Sequence, residues 1–268
     1  MSGSTPIAVT IAGSDSGGGA GIQADLKTFS ALGVYGASVI TALTAQNTLG
    51  VTGIHDVPPD FIAAQIDAVL SDLDVDAIKI GMLSRPEAIE VVAAGLERHG
   101  QSTIVLDPVM IAASGDRLLV PEAIETLRAR LLPRALLITP NLPEAAALLD
   151  EAPAATLEEV RGQAERLLAF GPRAVLIKGG HGEGPQSTDV LLDSKGFFEL
   201  SAARVATRNT HGTGCTLSSA IAAGLARGLK LRDAVTAAKD YLTRALACSE
   251  ELHIGQGHGP VHHFHSWW

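Results

Sequence analysis

The sequence predicts an α/β protein with a mostly parallel central sheet flanked by helices. Three observations lead there. Short runs of aliphatic and β-branched residues alternate with amphipathic stretches of about 10 to 15 residues, the pattern of βαβ units whose strands are buried on both faces. The 268 residues are 46% hydrophobic and only 4% aromatic, so the core is built from Ala, Val, Leu and Ile, which suits sheet-and-helix layers better than a β-sandwich. Glycine or a functional polar residue follows almost every apolar run. One domain over residues 1–268 is the expected organisation.

Ile7-Ala8-Val9-Thr10-Ile11 reads as the first strand, with a flexible glycine-rich loop, Ala12 to Gly21, after it. A helix from about Ile22 to Leu32 closes on Gly33. No window here spells G-x-G-x-x-G, and the chain contains no G-x-x-x-x-G-K-[ST], so both nucleotide fingerprints are rejected. Val34 to Gln46 mixes β-branched and small residues, ending in the polar pair Gln46-Asn47, and Val51 to Val57 reads as a short strand. Pro58 to Leu73 is an amphipathic helix whose Phe61, Ile62, Ile66, Val69 and Leu70 are expected in the core. Strands at 77–80, 103–106, 135–139 and 174–177 then alternate with helices at 86–98, 121–132 and 156–170. A hairpin-like pair (188–193 and 196–201) and two helices, Leu217–Gly228 and Leu231–Cys248, complete the chain.

Net charge is −9, which speaks against nucleic acid or an anionic membrane as partner. No stretch approaches the ~20 apolar residues of a membrane span. The first residues carry no charged n-region. Two cysteines, Cys215 and Cys248, make neither a disulfide framework nor a zinc spacing. A cytoplasmic location is expected. Five of the nine His residues crowd the last 16 positions, in a spacing that matches no structural zinc pattern. Trp267 and Trp268 are expected to pack this tail on the body or on a partner subunit.

The polar residues that end the strands carry the chemistry. Asp15, Met82, Asp107, Asn141 with Glu144, and Lys178 each come directly after an apolar run, and ligands of open parallel sheets bind outside the carboxyl ends of the strands. On that same edge falls Arg208-Asn209-Thr210-His211-Gly212-Thr213-Gly214-Cys215-Thr216, entering a helix. Gly212 and Gly214 let backbone N–H groups converge where the helix dipole is positive, an anion site. An ordinary glycine-rich turn is the other reading. Asp107 and Glu144 are hard oxygen ligands suited to Mg²⁺, and Lys178 is a compact cation able to reach nucleotide phosphates, with a strand-end lysine pointing to solvent as the other reading. Cys215 sits in the first turn of its helix, where a thiol pKa can fall well below ~8.5. It is the candidate to activate the acceptor of a phosphoryl group, with packing of the helix start as the alternative.

These residues also resemble a known family. Ala12 to Asp25 (AGSDSGGGAGIQAD), Asp107-Pro108-Val109-Met110, Thr139 to Glu144 (TPNLPE), Lys178-Gly179-Gly180-His181 and His211 to Cys215 (HGTGC) are similar, in order and through nearly the whole chain, to the bacterial hydroxymethylpyrimidine/phosphomethylpyrimidine kinases of the ribokinase-like superfamily. The resemblance implies a three-layer α/β/α fold and ATP-dependent phosphorylation of 4-amino-5-hydroxymethyl-2-methylpyrimidine, first to the monophosphate and then to the diphosphate, in thiamine biosynthesis. It further implies that Gln46 bonds the pyrimidine edge, with Gly13, Asp25 and Met82 lining its pocket. Asp107 and Glu144 then support Mg²⁺, and Lys178, Thr210 and Thr213 touch ATP. Gly212 and Gly214 form the anion hole, and Cys215 stands where most ribokinase-like enzymes carry an Asp base. A homodimer is implied as well. Two further readings stay open: a pyridoxal-type vitamin kinase, and a nucleotide-binding regulator without catalysis. The Ala12–Gly21 loop and residues 110–118 are expected to be mobile covers.

Overall fold

The architecture is seen in a computed structural model, described over residues 4–110, 120–181 and 184–268. Its elements run β1 (Ile7–Asp15), α1 (Gly21–Ala31), β2 (Tyr35–Asn47), β3 (Gly50–Asp56), α2 (Pro59–Leu70), β4 (Ala77–Ile80), α3 (Pro86–Arg98) and β5 (Ile104–Leu106). Then come α4 (Pro121–Arg130), β6 (Leu137–Ile138), α5 (Leu142–Leu149), α6 (Leu157–Leu168), β7 (Val175–Ile177), β8 (Gln186–Asp193), β9 (Gly196–Ala203), α7 (Thr213–Ala226) and α8 (Leu231–Ala247).

The strands form one sheet in the order β3-β2-β1-β4-β5-β6-β7-β8-β9. The run from β2 to β7 is parallel. Antiparallel strands close both edges: β3 on β2, and the β8–β9 hairpin on β7. Alternate residues of the strands serve opposite faces. Val9, Ile11, Ile78 and Ile80 pack under α2, α3, α4 and α6, while Ala8, Ala77, Val105 and Leu176 pack under α1, α7 and α8. Three layers result, as expected. The chain leaves β1 toward β2 and later returns to its other side as β4, so the strand order reverses at β1, where open sheets hold their ligands.

Four details differ from the sequence reading. β1 continues to Asp15 because Ser14 and Asp15 still pair with Leu43 and Thr44 of β2, past a register shift at Gly13. Phe61 is 61% exposed, whereas Ile62, Ile66 and Leu70 are buried and Val69 is partly buried. Each of the buried three is one turn from the next, and Phe61 falls about 100° outside their stripe. Helix α5 was not foreseen, although Asn141 and Glu144 form a reciprocal capping box, and N-x-x-E before an apolar run is its signature.

The C-terminal tail is the fourth. Trp267 and Trp268 are 69% and 71% exposed, and it is Val261, His262 and His263 that are buried. Backbone pairing fixes this: His262 N–H donates to Ala245 O, and the Tyr241 hydroxyl donates to His263 O. Trp268 rests on the His262 and Phe264 rings instead. His263 Nε2 lies 3.1 Å from Thr216 Oγ1. Burial, and then the charges of Lys27 and His262, push its pKa down to about 3. The folded state therefore refuses a proton that the unfolded chain takes below about 6.5. Stability held above that pH is lost as pH falls from 6.5 toward 3, by about 2 kcal/mol at pH 5 from this group alone. Urea midpoints at pH 7.5 and 5 check this: His263→Gln should shrink the drop, and an equal drop in the variant refutes the assignment.

Candidate active site

A cavity of about 680 Å³ opens along the carboxyl edge of the parallel strands. Asp107 directly follows β5, β6 leads into Asn141 and Glu144, and Lys178 directly follows β7. Lys178 Nζ donates to Asp107 Oδ1 at 2.6 Å and lies 3.7 Å from Glu144 Oε2. Thr139 Oγ1 donates to the same Asp107 oxygen at 2.9 Å, and the cap on Asn141 N–H holds Glu144 in place. Asp107 and Glu144, 71 and 34 positions before Lys178, thus share its ammonium because β5, β6 and β7 are successive strands of the sheet.

The electrostatics follow from burial and charge. Burial pushes Asp107 up, but Lys178 and then Lys79 outweigh it, so its carboxyl stays below the usual range. Glu144 goes the other way: burial lifts it to about 7, Lys178 opposes that, and the Asp107 charge adds to it. Lys178 is raised, since Asp107 and Glu144 overcome the cost of its burial. Two buried carboxylates lining one cavity fit a hard divalent cation that takes its remaining oxygens from water and phosphate. Among the described residues no cluster of three or more His, Cys, Asp and Glu stands ready to hold a metal.

The predicted anion loop stands beside this group. Gly212 caps α7 with φ +79, and a Cβ there would lie 1.9 Å from Gly19 O, so both conformation and space demand glycine. A Cβ on Gly214 would lie 3.3 Å from Lys178 Nζ and 3.4 Å from Asp107 Oδ2, which locates the first turn of α7 over the charged group. Thr210, Thr213 and Cys215 line the same cavity. Cys215 corrects an expectation. Burial pushes its thiol up to about 11, with the charges of Asp25 and Asp107 adding to the rise, although Lys79 and the Gly21 N–H act to lower it. A helix start favours a thiolate by a local field, and here desolvation is the larger effect.

The glycine-rich loop is more constrained than a flexible connection. Asp15 accepts from the N–H groups of Gly17, Gly19 and Ala20 and lies 2.8 Å from His211 Nε2. Burial raises this carboxyl, but His211 and the Ala20 and Gly17 N–H groups bring it below its usual value. The pair fastens the loop to the anion loop. Residues 111–118, the other expected cover, lie outside the described residues.

Of the expected pocket residues, Gly13, Gln46 and Met82 line the cavity. A Cβ on Gly13 would lie 2.6 Å from Met82 Cε, so glycine makes room for the thioether. The Gln46 amide oxygen accepts from Thr44 Oγ1. Asp25 does not line the cavity; it is fully buried beneath it, paired with Lys79 at 2.8 Å. Lys79 does line it and was missed, as were Asp189 and Lys239, a buried pair at 2.8 Å toward the far end. A lysine inside the four-residue apolar run Ala77–Ile80 was the available signal.

A parallel sheet reversing at β1, with an ammonium, two acids and a glycine-capped helix start at its carboxyl edge, defines a small-molecule kinase of the ribokinase-like class. Comparison with known proteins narrows the class. The phosphomethylpyrimidine kinase family model matches residues 15–262, and the chain belongs to that family. The hydroxymethylpyrimidine/phosphomethylpyrimidine kinase of Rhizobium meliloti is 60% identical over 264 residues, covering 98% of this chain and 99% of its own. The Escherichia coli enzyme of the same name is 57% identical over 261 residues, 97% and 98% of the two chains. Among solved structures, the Bacillus subtilis pyridoxal kinase in complex with ADP superposes with TM-score 0.90 at 37% identity, covering 97% and 98% of the chains. The phosphomethylpyrimidine kinase of Clostridium difficile gives 0.80 at 45%, covering 90% and 99%.

Proposed function

We propose that the protein transfers the γ-phosphoryl of ATP to the hydroxymethyl oxygen of 4-amino-5-hydroxymethyl-2-methylpyrimidine, and a second phosphoryl to the resulting monophosphate, in thiamine biosynthesis. The observation that carries this reading is the single cavity joining Gly13, Gln46 and Met82 to Lys178 and the start of α7. An acceptor held at the first end presents its oxygen to a phosphate held at the second.

Phosphoryl transfer requires alignment and charge neutralisation more than covalent chemistry. Lys178, Thr210, Thr213 and the N–H groups around Gly212 and Gly214 hold the phosphates in line. Mg²⁺, supported by Asp107 and Glu144, supplies neutralisation of the phosphate charge when bound. The acceptor oxygen bonds to the γ-phosphorus, the bond to the bridging oxygen breaks, and ADP leaves. Cys215, as thiolate, takes the acceptor proton. Burial keeps it protonated at rest, so the groups that favour the thiolate decide how readily the base form is reached.

We further assign the protein to the cytoplasm, acting through one domain of residues 1–268 as a homodimer. Two free cysteines support the first, and among the described residues no helix is long and apolar enough to cross a membrane. Exposed Leu43 and Ile54 on the β2–β3 pair and Phe61 on α2 support the dimer.

Phosphorus NMR with Mg-ATP and the hydroxymethylpyrimidine, beside a sample with pyridoxal, tests the substrate. Successive mono- and diphosphate signals from the pyrimidine are expected. Phosphorylation of pyridoxal alone transfers the assignment to vitamin B6. Absence of turnover with both leaves a nucleotide-binding protein and ends the kinase reading.

A further inference from the structure

Lys79 is a costly residue. It is fully buried near the end of a four-residue strand, and an ammonium there loses its hydration. Among the described residues the carboxylate in contact with it is that of Asp25. Asp25 Oδ1 and Oδ2 lie 2.9 and 2.8 Å from Nζ, and Asp25 is tied down further by Thr10 Oγ1 and Ser219 Oγ, each donating at 2.6 Å. The carboxylate's charge is thus spread into two hydroxyls away from the cavity. Lys79 lines the cavity and Asp25 does not.

Placement connects this pair to Cys215. Ser219 is four residues after Cys215 on α7, so the two share a helix face. The hydroxyl of one holds Asp25 while the thiol of the other opens into the cavity that Lys79 lines. Gly81 completes the arrangement. A Cβ there would lie 2.7 Å from Lys79 Nζ, so its absence lets the ammonium lean toward the ligand edge of the sheet. Lys178 is committed to Asp107 and Glu144.

We propose that Lys79 is a positioning residue for the transfer step: its ammonium, fixed by Asp25, is the permanent counter-charge for the anionic form of Cys215 at the start of α7. This rests on the reading of Cys215 as proton acceptor. It also gives Asp25 a task, orienting Lys79 rather than touching substrate.

Removing one charge alone strands the other in the interior, so the test uses Lys79→Met/Asp25→Asn together. Alkylation by iodoacetamide at fixed pH, read by mass spectrometry, measures the thiolate of Cys215 against Cys248 as internal reference. The ratio should fall about tenfold, because reactivity follows the thiolate fraction. Turnover should fall by about tenfold or more with both KM values little changed, as for loss of a transition-state interaction. An unchanged alkylation ratio overturns the proposal even if turnover drops. Should the double variant fail to fold, Ser219→Ala loosens Asp25 alone. A fall of about two- to threefold in the ratio is then expected, and no change overturns the proposal. Alkylation needs no substrate, so it stays informative if the pyrimidine assignment fails.

Discussion

Cys215→Ala should lower turnover of the hydroxymethylpyrimidine by about 10²–10⁴-fold, the range for a positioned general base. The KM for ATP should barely move, because Thr210, Thr213 and Lys178 remain in the cavity. Steady-state kinetics on both phosphorylation steps read the effect, and one cavity predicts equal losses. Cys215→Ser is the sharper comparison, since a hydroxyl of similar size ionises far less readily than a thiol. A serine variant that keeps near-wild-type turnover would falsify the base role and leave Cys215 as a packing residue at the helix start.

Lys178→Met should also be severe, for two reasons that separate experimentally. The transferring phosphoryl loses a preorganised cation, worth about 10²–10³-fold in turnover by analogy with loss of an oxyanion-hole donor. Asp107 and Glu144, buried to 1% and 7% exposure, lose the ammonium that opposes the rise of each. Both carboxyls then rise, and Glu144, already at about 7, moves further above its unfolded value, so the folded variant binds that proton more tightly than the unfolded chain. Sign follows: its stability decreases as pH rises through the new folded values and recovers as pH falls. Thermal unfolding at pH 8 and pH 6 should show the variant gaining relative to wild type at the lower pH. A variant with normal turnover, or one equally destabilised at both pH values, contradicts this picture of the Asp107–Lys178–Glu144 group.

Much of the catalytic edge was legible in the chain, for a simple reason. Fully buried parallel strands must be apolar, so a polar residue directly after such a run marks a carboxyl end. Asp107, Glu144 and Lys178 were found in that way, the Gly212–Cys215 loop from its glycines at a helix start, and all lie along one cavity. The α5 cap was equally readable in Asn141-Leu142-Pro143-Glu144, and the signal went unused.

The failures share a different origin. Asp25 was expected at the ligand, yet its partner Lys79 lies 54 positions away on another strand. Asp15 looked like part of a flexible loop, until His211, 196 positions on, came within 2.8 Å. Cys215 was expected to ionise easily from its place at a helix start, but its thiol is lifted to about 11 by burial. Element type, strand ends and glycine requirements are properties of neighbouring residues, and short-range sterics and patterning write them directly into the sequence. Which charge meets which, and how much water each group keeps, depends on strand order and on what packs above. Those quantities come into being only when β1, β4, β5 and α7 are brought together.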